Sequence, residues 1–351
     1  MLFKPLRCRI LAYAVAAIAL ASSAAAQPTV QAVLNGASYG QFIAPGSAIS
    51  VFGSELAAST AAADSVPLPR MLAGVTVTLD GVEMPLYFVS ATQINALIPY
   101  EANPGEAVLV VTTPAGRSPA VTLNLELAAP GIFSRDASGA GLPLLLDEDF
   151  RILGAISAGD RVIFYATGLG ATDPPVATGE GGAAAEPLNR VVETPEVYVG
   201  GKAAVVEFAG AAPGFAGVYQ LNVVAPERLS SAGIMVAAAG NPSQTMAVPL
   251  TVPIEVSPNV LNLQSQGVWV TVHAEIAYSA VDGFSVTLNE VPVEATKADL
   301  RGEFVAKFNL DDVKGILAEG EVELTLSGNT SAEDVFSGAD TIRVIDQSGS
   351  P

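Results

Sequence analysis

TQINALIP at residues 92–99 is matched by YQLNVVAP at residues 219–226. Each copy places Gln and Asn two positions apart and Pro six positions after the Gln; these residues are Gln93, Asn95, Pro99 and Gln220, Asn222, Pro226. Residues two apart in a β-strand lie on one face, so the two amides share a face opposite the apolar residues between them. The match indicates either a paired functional site or one structural unit used twice.

The surrounding sequence favours one unit used twice. PGSAISVFGSEL at residues 45–56 corresponds to AGDRVIFYATGL at residues 158–169, and a turn hairpin, the Gln-x-Asn strand and a Pro follow in both copies. Gly81 lies 12 positions before Gln93, whereas Gly201 lies 19 positions before Gln220, so the second copy carries seven extra residues around residues 211–214. We expect a surface loop to absorb this insertion.

The paired amides have two candidate roles. Side-chain amides on a strand can bond the backbone of an adjoining loop and hold it, and the following Pro then ends the strand ladder. We therefore predict a structural role, with Asn95 and Asn222 pinning equivalent loops. The alternative is that the amides contact a ligand.

Period-two alternation of apolar and polar residues dominates the chain and predicts an all-β fold. Residues 75–79 alternate before an Asp80-Gly81 turn, and residues 84–89 return; residues 197–199, a Gly200-Gly201 turn and residues 203–208 repeat this arrangement. Further predicted strands lie at residues 48–52, 107–113, 121–127, 162–166, 233–239 and 246–252. The pattern predicts β-sandwich domains in tandem, at residues 27–133 and 134–253.

The first 26 residues have the features of an export signal. Lys4, Arg7 and Arg9 precede an apolar run, and three alanines at residues 24–26 provide a small-residue cleavage site before Gln27. The apolar run is too short for a comfortable membrane span, so we expect a secreted, periplasmic or cell-surface protein without a transmembrane segment. Cys8, the one cysteine, lies within the signal and leaves the mature chain without a disulfide.

The mature chain is strongly acidic. Loss of the three signal cations leaves 13 Lys and Arg against 35 Asp and Glu, a formal charge of −22. Such a charge disfavours nucleic acid and anionic lipid as partners and favours solubility. Short acidic clusters such as residues 147–149 and 311–312 indicate solvated surface rather than cation sites.

Seven blocks in order carry a resemblance to a known family: VLNGASY, APGSAISVFGSEL, TQINALIPYE, AAPGIF, YATGLG, PPVATGE and FAGAAPGFAGVYQLNVVAP. Residues 33–252 resemble the Solibacter-type C-terminal domain family of secreted acidobacterial proteins. The resemblance implies an immunoglobulin-like, IPT/TIG-related extracellular module, so the predicted fold class is tandem immunoglobulin-like β-sandwich domains. It implies no assigned activity. Because little chain precedes the module, we expect no separate catalytic domain.

A third unit is predicted at residues 254–347, with a Pro-bounded linker across its start at residues 252–258, its folded part from about residue 260 to residue 345, and residues 348–351 as a tail. Strands are predicted around residues 269–276, 284–288, 304–308, 321–326 and 341–345, and a short helix capped by Asp311 or Asp312 is expected to end at Gly320. The unit resembles a β-sandwich segment found at the ends of secreted bacterial proteins, whose relatives can carry a calcium loop. Asp299 and Glu303 alone supply too few oxygen ligands, so no metal is predicted.

Catalytic patterns are weak, and we predict no catalytic, cofactor or metal residue. Residues 36–40 match G-x-S-x-G, but the strand, helix and histidine base of a nucleophile elbow are not evident around Ser38. His273, the one histidine, belongs to the third unit and alternates along a predicted solvent-facing side. Gly168 and Gly170 are followed by Pro where a phosphate loop needs a helix. A catalytic pair of carboxylates contributed by distant strands, as in glycoside hydrolysis, stays an alternative.

The sequence therefore predicts a secreted structural, adhesive or interaction module whose partner is an unknown extracellular protein or glycan. A glycan-binding protein is the alternative, and it needs exposed aromatic platforms. Trp269 is the one tryptophan, and the tyrosines at residues 39, 87, 198 and 219 lie within predicted strands or at their edges. An enzyme with an unrecognised carboxylate site is the third hypothesis.

Overall fold

The computed structural model of the chain describes residues 26–227, 229, 231, 233–331 and 334–347. The predicted export signal, apart from Ala26, and the predicted tail lie outside the described residues. Strands make up 51% and helices 3% of the structure, which confirms the predicted all-β fold of tandem immunoglobulin-like sandwiches. Within the described part of the chain, no helix has the length and apolar character needed to cross a membrane.

The first unit packs two antiparallel sheets around one apolar core. Across the first sheet the strands run Thr29–Asn35, Ala48–Ser54, Gln93–Leu97, Leu86–Val89 and Ala61–Ala62. Across the second they run Val121–Leu125, Gly105–Thr113, Thr76–Leu79 and Val82–Glu83, with Gly116–Arg117 paired to Gly105–Thr113. Inward residues such as Val51, Val77 and Ile94 are fully buried, as the period-two pattern predicts.

The second unit repeats this arrangement. Across its first sheet the strands run Gly131–Ile132, Arg161–Thr167, Tyr219–Val224, Val205–Ala211, Arg190–Val191 and Thr172–Asp173, with Leu145–Leu146 on Arg161–Thr167. Across its second they run Lys202–Ala203, Glu196–Val199, Gly233–Ala238 and Asn241–Pro242, with Met246–Ala247 on Gly233–Ala238. The predicted strand at residues 246–252 is thus two short segments, and the second of them, Leu250–Thr251, joins the third unit.

The third unit is also a two-sheet sandwich. Its larger sheet runs Leu250–Thr251, Val335–Ile345, Gly320–Thr330, Val281–Leu288 and Val291–Pro292, with Val260–Asn262 on Val335–Ile345. Its smaller sheet runs Ile254–Ser257, Trp269–Ala277, Glu303–Asn309 and Ala295–Ala298, and a short 3₁₀ helix spans Tyr278–Ala280.

The α-helix Leu310–Lys314, the one found among the described residues, differs from the prediction at both ends. Asn309 is the N-cap, because its Oδ1 accepts hydrogen bonds from the backbone N–H groups of Asp311 and Asp312. Those two acidic residues lie in the first turn, where the helix dipole favours negative charge. The helix ends at Gly315 and not at Gly320.

The segment at residues 252–258 is not a free linker. Its central residues form the strand Ile254–Ser257, which pairs with Trp269–Ala277, and Asp340 Oδ2 accepts a hydrogen bond from Val256 N–H at 2.8 Å. The two flanking prolines lie just outside the strand, where a missing N–H costs no ladder bond. One continuous apolar core joins the second and third units, so this boundary is packed.

Candidate functional site

The first and second units meet through residues 128–132, AAPGI, here called the junction segment, and all five residues are buried. Asn35 Nδ2 donates to Ala129 O at 3.0 Å from the first unit, and Asn241 Nδ2 donates to Ala128 O at 2.9 Å from the second. The Gln244 amide donates to Ile132 O and accepts from Ile132 N–H. Side chains of both sandwiches thus satisfy the backbone of a buried connection.

Asn35 is the central polar residue of this junction. It is 1% exposed, and its Oδ1 accepts hydrogen bonds from the N–H groups of Ala37 and Ser38, so one amide orders the turn at residues 36–40 and binds the junction segment. Gly131 lies so close that a Cβ there would be 2.3 Å from Asn35 Oδ1. The blocks VLNGASY and AAPGIF therefore interlock.

The insertion of the second copy is not a loose surface loop. It lengthens the hairpin between Val205–Ala211 and Tyr219–Val224 and carries Ala216 onto the first unit, where Tyr87 Oη donates to Ala216 O at 2.8 Å. Gly217 has a φ of +62°, and a Cβ there would meet Tyr87 Oη and Leu97 Cδ1, each at 2.6 Å. The insertion does lie in a turn at the surface, with residues 213–215 exposed, but its length says nothing about the contacts that its other residues make.

Thr167 links the first unit, the second unit and the inserted turn. It is fully buried, and its Oγ1 accepts from Ala48 N–H at 2.8 Å and donates to Gly217 O at 2.7 Å. One hydroxyl of the second unit therefore satisfies a backbone donor of the first unit and a backbone acceptor of the inserted turn.

Three tyrosines also lie in this interface. Burial raises the pKa of Tyr100 to about 12, and burial, with Tyr100 nearby, raises the pKa of both Tyr87 and Tyr219 well above the ordinary value. Tyr219 Oη donates to Gly170 O, and Tyr100 N–H donates to Thr178 Oγ1 at 2.9 Å. The neutral phenol form is thus favoured at all three positions.

A cleft of 390 Å³ opens beside this contact between the two sandwiches, and we call it the inter-sandwich cleft. Among the residues that line the cleft, the first unit contributes Tyr39, Ser50, Val66 and Asn95, and the second unit contributes Phe133 and Phe215. Phe215 comes from the insertion and is 62% exposed. The insertion therefore builds one wall of the cleft.

The Gln-x-Asn pairs occupy equivalent places in the two units. Asn95 lies opposite Ser50 and Phe88, and Asn222 lies opposite Ile163 and Phe208. A register shift occurs at the same place in both copies, before Phe88 and before Phe208. Pro99 and Pro226 each stand two residues after the end of their strand, Leu97 or Val224.

The amide hydrogen bonds differ from the predicted loop pinning. Gln93 Nε2 donates to Asn95 Oδ1 at 2.8 Å and Gln220 Nε2 donates to Asn222 Oδ1 at 2.9 Å, and Ser50 Oγ also donates to Asn95 Oδ1 at 3.1 Å. Among the described residues, these four amides show no hydrogen bond to a loop backbone. The spacing explains this, because two amides on one strand face reach each other first.

Buried serines hold the second hairpin of each copy, and the sequence analysis missed them. Ser118 Oγ accepts from Val111 N–H at 3.0 Å, and Ser243 Oγ accepts from Val236 N–H at 3.0 Å. The sequence signal was a serine shortly after the turn glycine: Ser118 is two residues after Gly116, and Ser243 is three residues after Gly240.

The third unit has a larger but charged groove of 780 Å³ around His273. His273 and Glu275 are exposed on Trp269–Ala277 while the alternating residues are buried, as predicted. Asp299 Oδ1 accepts from the N–H groups of Arg301 and Glu303, bonds that lower its pKa. Within the described residues, no group of three His, Cys, Asp or Glu side chains is placed to hold a metal ion.

The remaining aromatic candidates lie apart from the cleft. Trp269 is 40% exposed, and Lys307 Nζ sits 5.8 Å from its ring centroid over the face that a sugar would need. Tyr198 donates its hydroxyl hydrogen to Glu196.

No protein-family model matches the chain, and no curated protein matches it. Solved structures with some similarity include a protein crystallised with a xylogluco-oligosaccharide, at 12% identity over 90% of this chain, TM-score 0.22, of which this chain spans 60%. Others are a 1.5-MDa bacterial ice-binding adhesin, at 14% identity over 92% of this chain and 98% of that one, TM-score 0.20, and the I9–I11 tandem of titin, at 9% identity over 92% and 98%, TM-score 0.16. Similarity this low carries no argument about ligand or activity.

We expect Thr167→Val to lower the free energy of unfolding by about 2 kcal/mol, because it leaves the N–H of half-buried Ala48 and the O of buried Gly217 without a partner. Thr167→Ser keeps both hydrogen bonds and serves as the matched control, with a smaller loss from the missing methyl. Urea unfolding of both variants measures the difference. Equal losses would show that the hydroxyl does not hold the interface.

Alkaline pH should weaken the same interface. The unfolded phenols ionise near pH 10, whereas Tyr100 in the folded chain ionises at about 12; stability is therefore full below pH 10 and falls as the pH rises through this window. Between these pH values, phenolate absorbance should show fewer ionised tyrosines in the native chain than in urea, and Tyr87→Phe should reduce the deficit by one. A native chain that titrates like the urea-unfolded chain would contradict this.

Proposed function

We propose that this chain is a secreted, non-catalytic interaction module whose first two sandwiches act as one rigid body. The observation that carries the proposal is the junction segment, whose buried backbone is bonded from both units by Asn35, Asn241 and Gln244. Domains joined by exposed linkers move relative to one another by default. A hydrogen-bonded, buried connection instead fixes their relative orientation.

A fixed orientation suits a structural or adhesive role. A preorganised surface loses less conformational entropy when a partner binds, so more of the contact energy appears as affinity. The packed boundary between the second and third units, with one continuous core, extends the same property along the chain. Rigidity here needs no disulfide, in keeping with Cys8 lying in the predicted signal.

Residues 36–40 support a structural rather than a nucleophilic role for Ser38. Ser38 N–H donates to Asn35 Oδ1, and Ser38 Oγ accepts from Gly40 N–H at 3.2 Å. The G-x-S-x-G match is accounted for by a turn that the Asn35 side chain orders. His273 lies in the third unit, far along the chain from this serine.

Two measurements test the proposal: the N-terminus and location of the mature protein, and the binding of the purified chain to cells. We expect intact-mass measurement of the product from the source organism to give a chain starting at Gln27, in the periplasm, on the surface or in the medium. We also expect the purified chain, labelled with a fluorophore, to bind washed cells or their isolated envelope saturably, and unlabelled chain to compete. Thr167→Val should weaken this binding more than Thr167→Ser, because the presentation of the surface depends on the interface.

Two results would contradict the proposal. One is a cytoplasmic product that retains residues 1–26. The other is turnover of an envelope polymer by the purified chain that is abolished by substitution of a single carboxylate, which would favour the enzyme hypothesis.

A further inference from the structure

The inter-sandwich cleft has the size and lining of a small-molecule site. Its 390 Å³ falls within the range of roughly 300–1,000 Å³ seen for ligand pockets, which are mostly apolar with a few placed polar groups. Tyr39, Phe133 and Phe215 supply aromatic surface, and Ser50 and Asn95 supply polar groups. The walls come from both sandwiches, and the rigid junction holds them in place.

The hydrogen-bonding groups of the lining are largely used within the protein. Tyr39 Oη donates to Ala137 O at 3.0 Å, and Tyr87 Oη donates to Ala216 O. Asn95 Oδ1 already accepts two hydrogen bonds, from Ser50 and Gln93. The Asn95 Nδ2 group, in contrast, has no acceptor among the described residues, so it can donate a hydrogen bond to a ligand.

The absence of charge in the lining restricts the class of ligand that the cleft can bind. None of the described residues that line the cleft is Asp, Glu, Lys, Arg or His. An ionised ligand would lose its hydration there without gaining a partner. A saccharide would bring several hydroxyl groups to a surface that offers few free partners, and each unpaired group would weaken binding.

Phe215 is an aromatic side chain exposed at the lip of the cleft. It stands on the inserted turn, where residues 213 and 214 are also exposed and Ala216 and Gly217 are buried. Covering an exposed aromatic ring with apolar surface is favourable, so a ring packed against Phe215 gains from a group that the free protein leaves in water.

We propose that the inter-sandwich cleft binds a neutral, largely apolar ring molecule, whose carbonyl or ether oxygen accepts a hydrogen bond from Asn95 Nδ2 while its ring packs on Phe215, Tyr39 and Phe133. This inference goes beyond the proposed function, because an interaction module need not bind a small molecule. It also separates the first Gln-x-Asn pair from the second: Gln93 and Ser50 hold the Asn95 amide with its donor free in an uncharged cleft. Asn222 instead lines a smaller groove that contains charged side chains.

Two neutral probes of matched shape test the proposal on the full mature chain. Acetylnaphthalene carries a carbonyl acceptor, and ethylnaphthalene carries none. We expect calorimetric titration to show one saturable site for each, with the ketone bound about fivefold more tightly, as one hydrogen bond provides. Asn95→Leu should abolish this preference.

A second variant, at Phe215, tests the aromatic wall of the cleft without changing the hydrogen bonds of Asn95. Phe215→Ala should weaken both probes about tenfold or more, since it removes an aromatic wall. The matched control is Phe284→Ala, which removes a fully exposed phenylalanine of the third unit and should leave both affinities unchanged. Because neither side chain is buried, both variants are expected to fold.

The proposal is overturned if neither probe saturates a site, or if Phe215→Ala binds the probes as well as Phe284→Ala does. Displacement of acetylnaphthalene by a neutral cello-oligosaccharide would also overturn it and would favour the glycan-binding alternative. Failure of this test leaves the surface-binding experiment unaffected, because the cleft variants do not alter the Thr167 interface.

Discussion

The buried backbone of the junction segment is the constraint on which the arrangement of the first two sandwiches depends. A buried peptide group without a hydrogen-bond partner costs about 1–3 kcal/mol, so a connection with five buried residues exists only if the flanking units supply partners. Asn35 and Asn241 supply them from opposite sides. The two sandwiches are therefore fixed by the same bonds that make the connection possible.

Other features of the interface follow from that fixed geometry. With the units held in place, the lengthened hairpin of the second copy reaches Tyr87, and Thr167 can serve Ala48 and Gly217 at once. The inter-sandwich cleft is what remains between the two surfaces beside these contacts. The two sandwiches share a strand arrangement, and the seven extra residues of the second make the pair asymmetric.

The sequence predicts the elements of this fold well and their contacts poorly. Alternation places residues such as Val51 and Ile94 in the core, because burial on one sheet face is a local property. The Gln-x-Asn spacing likewise indicates equivalent strands. What the insertion touches depends on where the other unit lies, and that orientation is set by bonds between residues as distant as Asn35 and Ala129. The length and composition of the insertion do not reveal the relative orientation of the two units.

Proline patterns misled in the same way. Residues 252–258 have the composition of a linker, yet a strand bounded by prolines has the same pattern when the prolines fall just outside the ladder. Asn95 illustrates the limit for the site: its strand face is predictable, but whether its amide faces solvent, a loop or a cleft depends on the neighbouring unit. The first copy gains a cleft there because Phe215 of the second copy stands opposite.

Differential scanning calorimetry of the mature chain tests the central claim most directly, namely that the units are fused through buried, hydrogen-bonded junctions. The account predicts one thermal transition, with equal calorimetric and van't Hoff enthalpies, since no unit can unfold without exposing its neighbour's interface. Separate transitions for the first unit and the remainder, each with the enthalpy of an independent domain, would contradict it.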